Sequence, residues 1–288
     1  MDTPLEQTDD IRFDETRKFL DKWSMYNLLK QYPPMVPMLP ESKQFTKEHF
    51  FYFCQRYESF YIKPVNTWGG QSITRVDHFP NQLYCIRTLG QPTVWRATAF
   101  GSWWTVRKRL PLASIIQQAA PVVTWNNRMF DIRVLMQRHK SGTWMYAAMA
   151  ARVGGHESIV SNIAASGGEV HEVPQLLQSL FENPPIEQKI LQNLRTFSRQ
   201  ICTLLDSVYS FEEVGIDWGL GYDGSLWLFE VNTNDNLGGP SHELFAPLAD
   251  GRIYQRIEQR SSARRLAQAN EWLQIWMTEL QQMTEQTP

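Results

Sequence analysis

Two carboxylates and an amide, Asp217, Glu230 and Asn232, fall on one face of the hairpin that the residues from Val214 to Thr233 are patterned to form. Asp223-Gly224 is a strong two-residue turn signal. Folding the chain there sets Tyr222 opposite Ser225, Trp218 opposite Phe229, Asp217 opposite Glu230 and Ile216 opposite Val231. Successive strand residues point to opposite faces. One face then carries Ile216, Trp218, Leu220, Trp227, Phe229 and Val231, as a sheet packed on a core would, and the other carries the three polar groups, with Gly215 and Gly219 leaving space above them. Like charges directly opposite each other on paired strands repel, so the two acids require a compensating cation or a shared proton, and a bound metal meets that need most simply. Donors that are all oxygen favour a hard cation such as Mg²⁺ and argue against zinc. The plainer alternative is an ordinary solvated sheet face, and a turn longer than two residues would break the pairing of Asp217 with Glu230.

Lys63 lies in the apolar extended run Phe60 to Val65 and is followed by Asn66-Thr67-Trp68-Gly69-Gly70-Gln71-Ser72. A lysine taken out of water needs an anion nearby, and a glycine-bearing loop with exposed amides covers phosphates well; together they point to a nucleotide. The alternative is an edge lysine beside a turn. Arg133 and Arg152 sit in strand-like runs with apolar neighbours, where a permanently charged fork suits phosphate or carboxylate. Arg133 has a structural alternative, pairing with Asp131. Asn162 precedes a second glycine pair, Gly167-Gly168.

Several other chemistries are excluded by what the motifs require. The P-loop string is absent. A literal GxGxxG at Gly219 to Gly224 would have to follow a strand and open a helix, whereas here it ends in a hairpin turn. The six histidines show no HxxxH spacing and none is close to the carboxylates, and there is no GxSxG, so zinc hydrolysis and the serine hydrolase elbow have no support.

The elements that must position these groups are read from periodicity. Residues 13 to 31 read as an amphipathic helix with Phe19, Leu20, Trp23, Tyr26 and Leu29 on one side, ended by Tyr32-Pro33-Pro34. A short helix spans about Thr46 to Tyr57, β-rich stretches fill 73 to 100, and 112 to 153 hold a second hairpin with Phe130, Ile132, Val134 and Met136 inward and Asp131, Arg133 and Gln137 on the other side. Ile186 to Tyr209 is helical, and a last helix runs from about Gln255 to Met283, with Arg256, Arg260 and Arg264 as a basic stripe that suits a phosphate or an acidic partner, or is simply solvated. Strands and helices mix without strict βαβ alternation, which makes the class α+β or mixed α/β.

At 288 residues with 42% hydrophobic composition the chain is globular, with one or two domains. A net charge of -2 gives no electrostatic case for nucleic acid. Most of the 11 Trp are expected in the core, with Trp68, Trp103 and Trp104 as the exceptions. Cys54, Cys85 and Cys202 are far apart and form no CxxC, which predicts free thiols in a reducing compartment. The acidic start, Met1 to Asp10, is no signal peptide, and no stretch approaches the roughly 20 apolar residues of a membrane span. The expectation is a soluble, cytoplasmic protein with no nucleic-acid or membrane partner.

Taken in order, Tyr61-Ile-Lys-Pro-Val-Asn66, Phe130-Asp-Ile-Arg-Val-Leu135, Ala148-Met-Ala-Ala-Arg-Val153, Ser161-Asn162 with Gly167-Gly168-Glu169-Val170, and Val214-Gly-Ile-Asp217 with Phe229-Glu-Val-Asn232 resemble the ATP-grasp superfamily, and within it the YheC/YheD group described as endospore coat-associated. The resemblance covers about residues 22 to 235. It implies an ATP-grasp fold of class α+β, two α+β subdomains gripping ATP, at about 45–118 and 119–235, flanked by an N-terminal helical segment (1–44) and a C-terminal helical extension (236–288). By the same resemblance Lys63, Gly69 and Gly70 hold phosphates, and Gln117, Gln118 and Ala119 form the hinge at the adenine. Asp217, Glu230 and Asn232 hold Mg²⁺, or Mn²⁺ in its place, while Arg133, Arg152 and Asn162 steady the transferred phosphoryl group and the acyl phosphate. The implied reaction joins a small-molecule or peptide carboxylate to an amine, with a spore-coat component or other protein as a further partner. Thr67 and Ser72 stand where relatives carry glycine, and Thr233-Asn234-Asp235-Asn236 departs from the small, basic and proline residues that commonly follow Glu-Val-Asn. About 55 residues precede the expected first strand, so a separate N-terminal substrate domain is expected to be reduced or missing.

Overall fold

In the run Ser59–Pro64, buried Phe60, Ile62 and Pro64 alternate with half-buried Ser59, Tyr61 and Lys63. That is the period of a strand with one face on a core, and this strand lies inside the first of two antiparallel sheets. The computed structural model describes residues 11–67, 72–110, 113–233 and 240–285. A short ribbon of β1 (Phe13–Asp14) and β2 (Phe19–Leu20) leads into α1 (Lys22–Lys30). The first sheet then takes β3 (Ser42–Gln44), α2 (Lys47–Arg56), β4 (Ser59–Pro64), β5 (Thr74–Phe79), β6 (Leu83–Thr88), β7 (Val94–Arg96), α3 (Ala99–Arg109) and β8 (Ser114–Gln118), with strand order β3-β8-β4-β5-β6-β7. Helices α2 and α3 supply Phe50, Phe53, Trp103 and Val106 to a core closed by Phe60, Ile62, Val76, Ile86 and Ile116. Each helix starts where a threonine caps it, Thr46 for α2 and Thr98 for α3.

The second sheet is built from β9 (Phe130–Arg138), β10 (Trp144–Val153), α4 (Ile163–Ser166), β11 (Glu169–His171), α5 (Val173–Phe181), α6 (Pro184–Leu205), β12 (Glu213–Leu220) and β13 (Leu226–Asn232), in the order β11-β10-β9-β12-β13. Phe130, Ile132, Val134 and Met136 of β9 share one core with Ile216, Trp218 and Leu220 of β12, beneath α5 and α6. The N-terminal segment also packs here, through Leu20, Met25, Leu28 and Leu29. The opposite face of this sheet is divided: Leu135, Ala148 and Ala150 are covered by Phe245, Leu248 and Ile257 of the chain around α7 (Pro240–Glu243) and α8 (Gly251–Glu285), and the remainder faces the first sheet.

Several expectations need correction. The first helix is not 13 to 31: it begins at Lys22 because Asp21 accepts the amides of Trp23 and Ser24, and Phe19 and Leu20 belong to the preceding ribbon. Strands β1 to β3 all precede residue 55. Helices α3 and α5 were not foreseen. Trp103 is buried, not exposed, whereas Trp104 is exposed; Trp68 lies outside the described residues. The three cysteines are free and buried.

The hairpin of β12 and β13 corrects itself. Its turn is one residue longer than Asp-Gly alone predicts, because Gly221 donates to the carbonyl of Ser225 and leaves Tyr222, Asp223 and Gly224 as a three-residue loop. Gly224 sits at φ 79°, the left-handed position such loops require. The shift would carry Asp217 away from Glu230, but a bulge between Asp217 and Trp218 on one strand and Leu228 and Glu230 on the other takes up the extra residue, and Asp217 stays opposite Glu230. Trp218 therefore faces Leu228 rather than Phe229. The core-facing residues of β13 are Leu226, Leu228 and Val231, and Phe229 turns toward the cavity.

Candidate functional site

A cavity of about 640 Å³ lies between the two sheets, lined from β4, β5 and the end of β8 on one side and from β9, β10, β12 and β13 on the other. Lys63, Gln117, Gln118 and Ala119 line the first wall and Arg133, Arg152, Asn162, Asp217, Glu230 and Asn232 the second. Gly69 and Gly70 lie outside the described residues. Beside them, Ser72 adopts φ 58°, a left-handed backbone that glycine reaches at less cost.

The second wall is an ordered set of ion pairs. Arg133 donates from Nε and from Nη2, the latter at 3.1 Å, to the two oxygens of Asp217, and Arg152 Nη2 lies 2.8 Å from the same carboxylate. Arg152 also forks onto Asp131 with two bonds of 2.7 Å, and Ser161 donates its hydroxyl to Asp131. The alternative pairing of Arg133 with Asp131 does not occur, and two other pairs form: Asp217 holds Arg133 and Asp131 holds Arg152. Burial pushes the Asp217 carboxyl up, but Arg133 and then Arg152 outweigh it and hold it down at about 2. Burial also drives Asp131, and here the single Arg152 offsets only part while the charge of Asp217 adds to the rise, so its carboxyl stays above the ordinary range. Asn232 donates to Asp217 at 3.3 Å and to the carbonyl of Gly215 at 3.4 Å.

Glu230 has a partner that the sequence reading missed. Lys22, the first residue of α1, lies 3.0 Å from its carboxylate and also donates to the carbonyl of Thr67 at the start of the glycine-bearing loop. The signal was available: an Asp cap at position 21 fixes the helix start and therefore where residue 22 points. Arg75 of β5 was missed as well. It lines the cavity, pairs with Asp77 at 2.7 Å and donates to the Tyr61 hydroxyl at 3.0 Å, while that hydroxyl donates across the cleft to the carbonyl of Ile159 at 3.3 Å.

Lys63 differs from the other cations. Its ammonium donates to Gln117 Oε1 at 2.6 Å, with no ion pair among the described residues. Burial is the largest influence and lowers its pKa to about 8, with Glu230 and Asp217 pulling up and Lys22 pushing down. A desolvated ammonium with an amide as its partner is completed by an anion. The far wall offers the oxygen donors a hard cation takes: two carboxylates in direct register and an amide two residues on. No cluster of three His, Cys, Asp or Glu suited to a metal occurs among the described residues, so the set depends on Asn232 as its third member. The donor chemistry fits Mg²⁺, and the half-buried lysine fits the anion that would accompany it. The expected basic stripe on α8 does not reach this site: Arg256 is exposed, and Arg264 pairs with Glu213 on the part of the sheet face covered by that helix.

A family described as "YheC/D like ATP-grasp" matches residues 10–276. The chain is 25% identical over 234 residues to the endospore coat-associated protein YheD of Bacillus subtilis (strain 168), a match covering 78% of this chain and 50% of that protein. It is 22% identical over 221 residues to the endospore coat-associated protein YheC of the same organism, covering 74% of this chain and 59% of that protein. The chain thus spans between half and three-fifths of the length of these curated relatives. No described helix is long and apolar enough to cross a membrane. A match across nearly the whole chain, on a fold of two antiparallel sheets facing each other across a charged cleft, places this protein in the YheC/D-like ATP-grasp family.

Proposed function

We propose that the chain is a Mg²⁺- and ATP-dependent ligase that joins a carboxylate to an amine through an acyl phosphate. The observation that carries this reading is Lys63: a half-buried side chain whose ammonium has no carboxylate partner among the described residues, at one wall of a cavity whose other wall presents Asp217, Glu230 and Asn232. In this reading residues 45–118 and 119–235 are the two jaws, with 1–44 and 236–288 flanking them. Lys63 and the loop after it take the phosphates, Gln117 to Ala119 lie at the base, and Asp217, Glu230 and Asn232 hold Mg²⁺, which neutralises phosphate charge when bound.

The chain's own groups then have definite tasks. A carboxylate oxygen of the acid attacks the terminal phosphorus and ADP leaves; the amine attacks the acyl carbon, phosphate leaves, and the amine's proton is lost as the amide forms. Arg133 and Arg152, fixed by their bonds to Asp217 and Asp131, present positive charge to the phosphoryl oxygens, and Asn162 adds a hydrogen-bonding amide beside them. The acid and amine are small molecules or peptides, and a spore-coat component is a candidate protein partner, because the two relatives carry that association in their names.

A second reading, an ATP-binding coat protein without turnover, is favoured by one observation: both arginines are already committed to Asp217 and Asp131. Incubation with Mg²⁺-ATP and a panel of amino acids and short peptides separates the two. Acceptor-stimulated ADP release that disappears in Glu230→Gln is the expected result; nucleotide binding with no release across the panel would favour the second reading, and no binding at all would remove both.

A further inference from the structure

The cleft-facing side of the first sheet continues past the nucleotide cavity. Residues directly opposite on paired strands share a face, so the register sets its side chains in rows. Ser59, Asp77, Cys85 and Trp95 form one row across β4, β5, β6 and β7, Tyr61, Arg75 and Arg87 the next, and Phe79 pairs with Leu83 on the other side of the first. Tyr61, Lys63 and Arg75 line the cavity. Phe79, Leu83 and Trp95 lie beyond it and are exposed, with the Phe79 and Trp95 rings 5.8 Å apart. The reverse side of the sheet is packed on α2 and α3.

Two arginines join the cavity to this apolar shelf. Arg75 at the cavity and Arg87 one strand further out hold the same carboxylate, Asp77, at 2.7 and 2.8 Å. Two cations on one acid leave a net positive charge on the face. The imbalance extends around it: from Ser72 to Leu110 the acidic residue Asp77 stands against Arg75, Arg87, Arg96, Arg107, Lys108 and Arg109, in a chain whose net charge is -2. What covers this face is therefore anionic near Arg87 and apolar over Trp95.

The span selects the kind of molecule. Strand β7 is three strands from β4, about 14 Å, and the row of Trp95 lies four residues, about 13 Å, along the strand from Lys63. About six residues of extended chain cover that diagonal of about 19 Å, and a free amino acid does not. A nucleic acid strand would bring a phosphate with every nucleotide to a face that offers one surplus cation.

We propose that this face holds the acid substrate as a peptide, with an apolar or aromatic side chain on Phe79, Leu83 and Trp95, an acidic side chain on Arg87, and the reacting carboxyl carried past Arg75 into the cavity. The reaction rests on the ligase reading; the peptide surface does not, and is tested without nucleotide.

The test is calorimetric titration of the full chain, free of Mg²⁺ and ATP, with acetyl-Phe-Leu-Glu-Glu-Glu-Glu. Two control peptides replace the four Glu by Lys, or Phe-Leu by Ser-Ser. The first peptide is expected to bind at least about tenfold more tightly than either control. Trp95→Ala with Leu83→Ser should weaken it about tenfold with an unchanged unfolding temperature, because both side chains are exposed. Arg87→Met should remove most of the preference for Glu over Lys. Equal affinity for the Glu and Lys peptides, affinity indifferent to the Trp95 and Leu83 substitutions, or no binding at millimolar peptide overturns the proposal. So does tighter binding of a single-stranded oligonucleotide through the same residues. ADP release with free amino acids, without binding of the peptide, would leave the ligase reading standing and remove this surface; peptide binding without ADP release would do the reverse.

Discussion

On the proposed function, a half-buried lysine held against an amide oxygen is a liability that the free protein carries for its ligand. With its pKa at about 8 in the fold, against an ordinary 10.5, Lys63 binds fewer protons in the folded chain than in the unfolded one between those two values. Stability therefore rises as pH passes from 8 toward 10.5, and below pH 8 the cost is carried in full, on the order of 3 kcal/mol at most. Lys63→Met removes the charge and leaves Gln117 Oε1 without its donor, which returns part of that gain. We expect the variant to be more stable than the parent by about 1–2 kcal/mol at pH 7, the advantage shrinking as pH rises through 8 and beyond. It should also lose the stabilisation that Mg²⁺-ATP gives the parent, about 2.7 kcal/mol at one hundred times the dissociation constant. Urea titrations of both chains across this pH range, with and without nucleotide, measure all three quantities. A variant less stable than the parent at every pH would mean that the ammonium is satisfied within the chain.

Asp217 and Glu230 could be placed opposite each other from sequence because Asp223-Gly224 announces a turn, yet the agreement came from two departures that cancel: a longer loop and a bulge at Phe229. Loop length and bulge position depend on what packs against the strands, here Phe229 closing over Gly219, and alternation alone does not report that. The strand bearing Lys63 was legible because buried and half-buried residues alternate along it, and those bearing Arg133 and Arg152 because they are long, mostly apolar runs buried on both faces. Helix α3 was not, since Phe100, Trp103, Trp104 and Val106 follow closely on the β-rich stretch and its start depends on one threonine cap. Lys22 and Arg75 escaped because each reaches the cleft from an element whose place is set by tertiary packing. The bulge also yields an expectation for Gly219. A Cβ there would lie 2.2 Å from Phe229 Cζ and 2.8 Å from Val122 Cγ1, so Gly219→Ala must drive the ring from its place on the cavity wall. The cost should be about 1–3 kcal/mol of stability, with nucleotide affinity falling as well. Gly219→Ala combined with Phe229→Leu should recover most of the stability, and a single variant with parental stability and affinity would show that the ring moves freely.

One sheet face carries two kinds of chemistry across the whole molecule. Its upper part, with Asp131, Arg133, Arg152 and Asp217, opens to the cleft, and its lower part is sealed by α7 and α8 over Leu135, Ala148 and Ala150. Beneath that seal Glu213 is buried with three partners: Gln137 donates to it at 3.0 Å, His242 Nε2 lies 2.6 Å away, and Arg264 makes an ion pair. His242 in turn meets Glu258 of α8 through Nδ1. The first turns of α8 are thus fixed to the sheet by charge as well as by Ile253 and Ile257. Removing one member of a buried pair leaves its partner uncompensated, whereas removing both is far less costly. Arg264→Met should therefore destabilise the chain by about 3–5 kcal/mol, and Glu213→Gln with Arg264→Met should recover most of that loss. Denaturant unfolding of the four chains in this cycle measures the coupling. If Arg264→Met costs less than about 1 kcal/mol, the value typical of an exposed pair, then water reaches Glu213 and the helix is held by its apolar contacts alone.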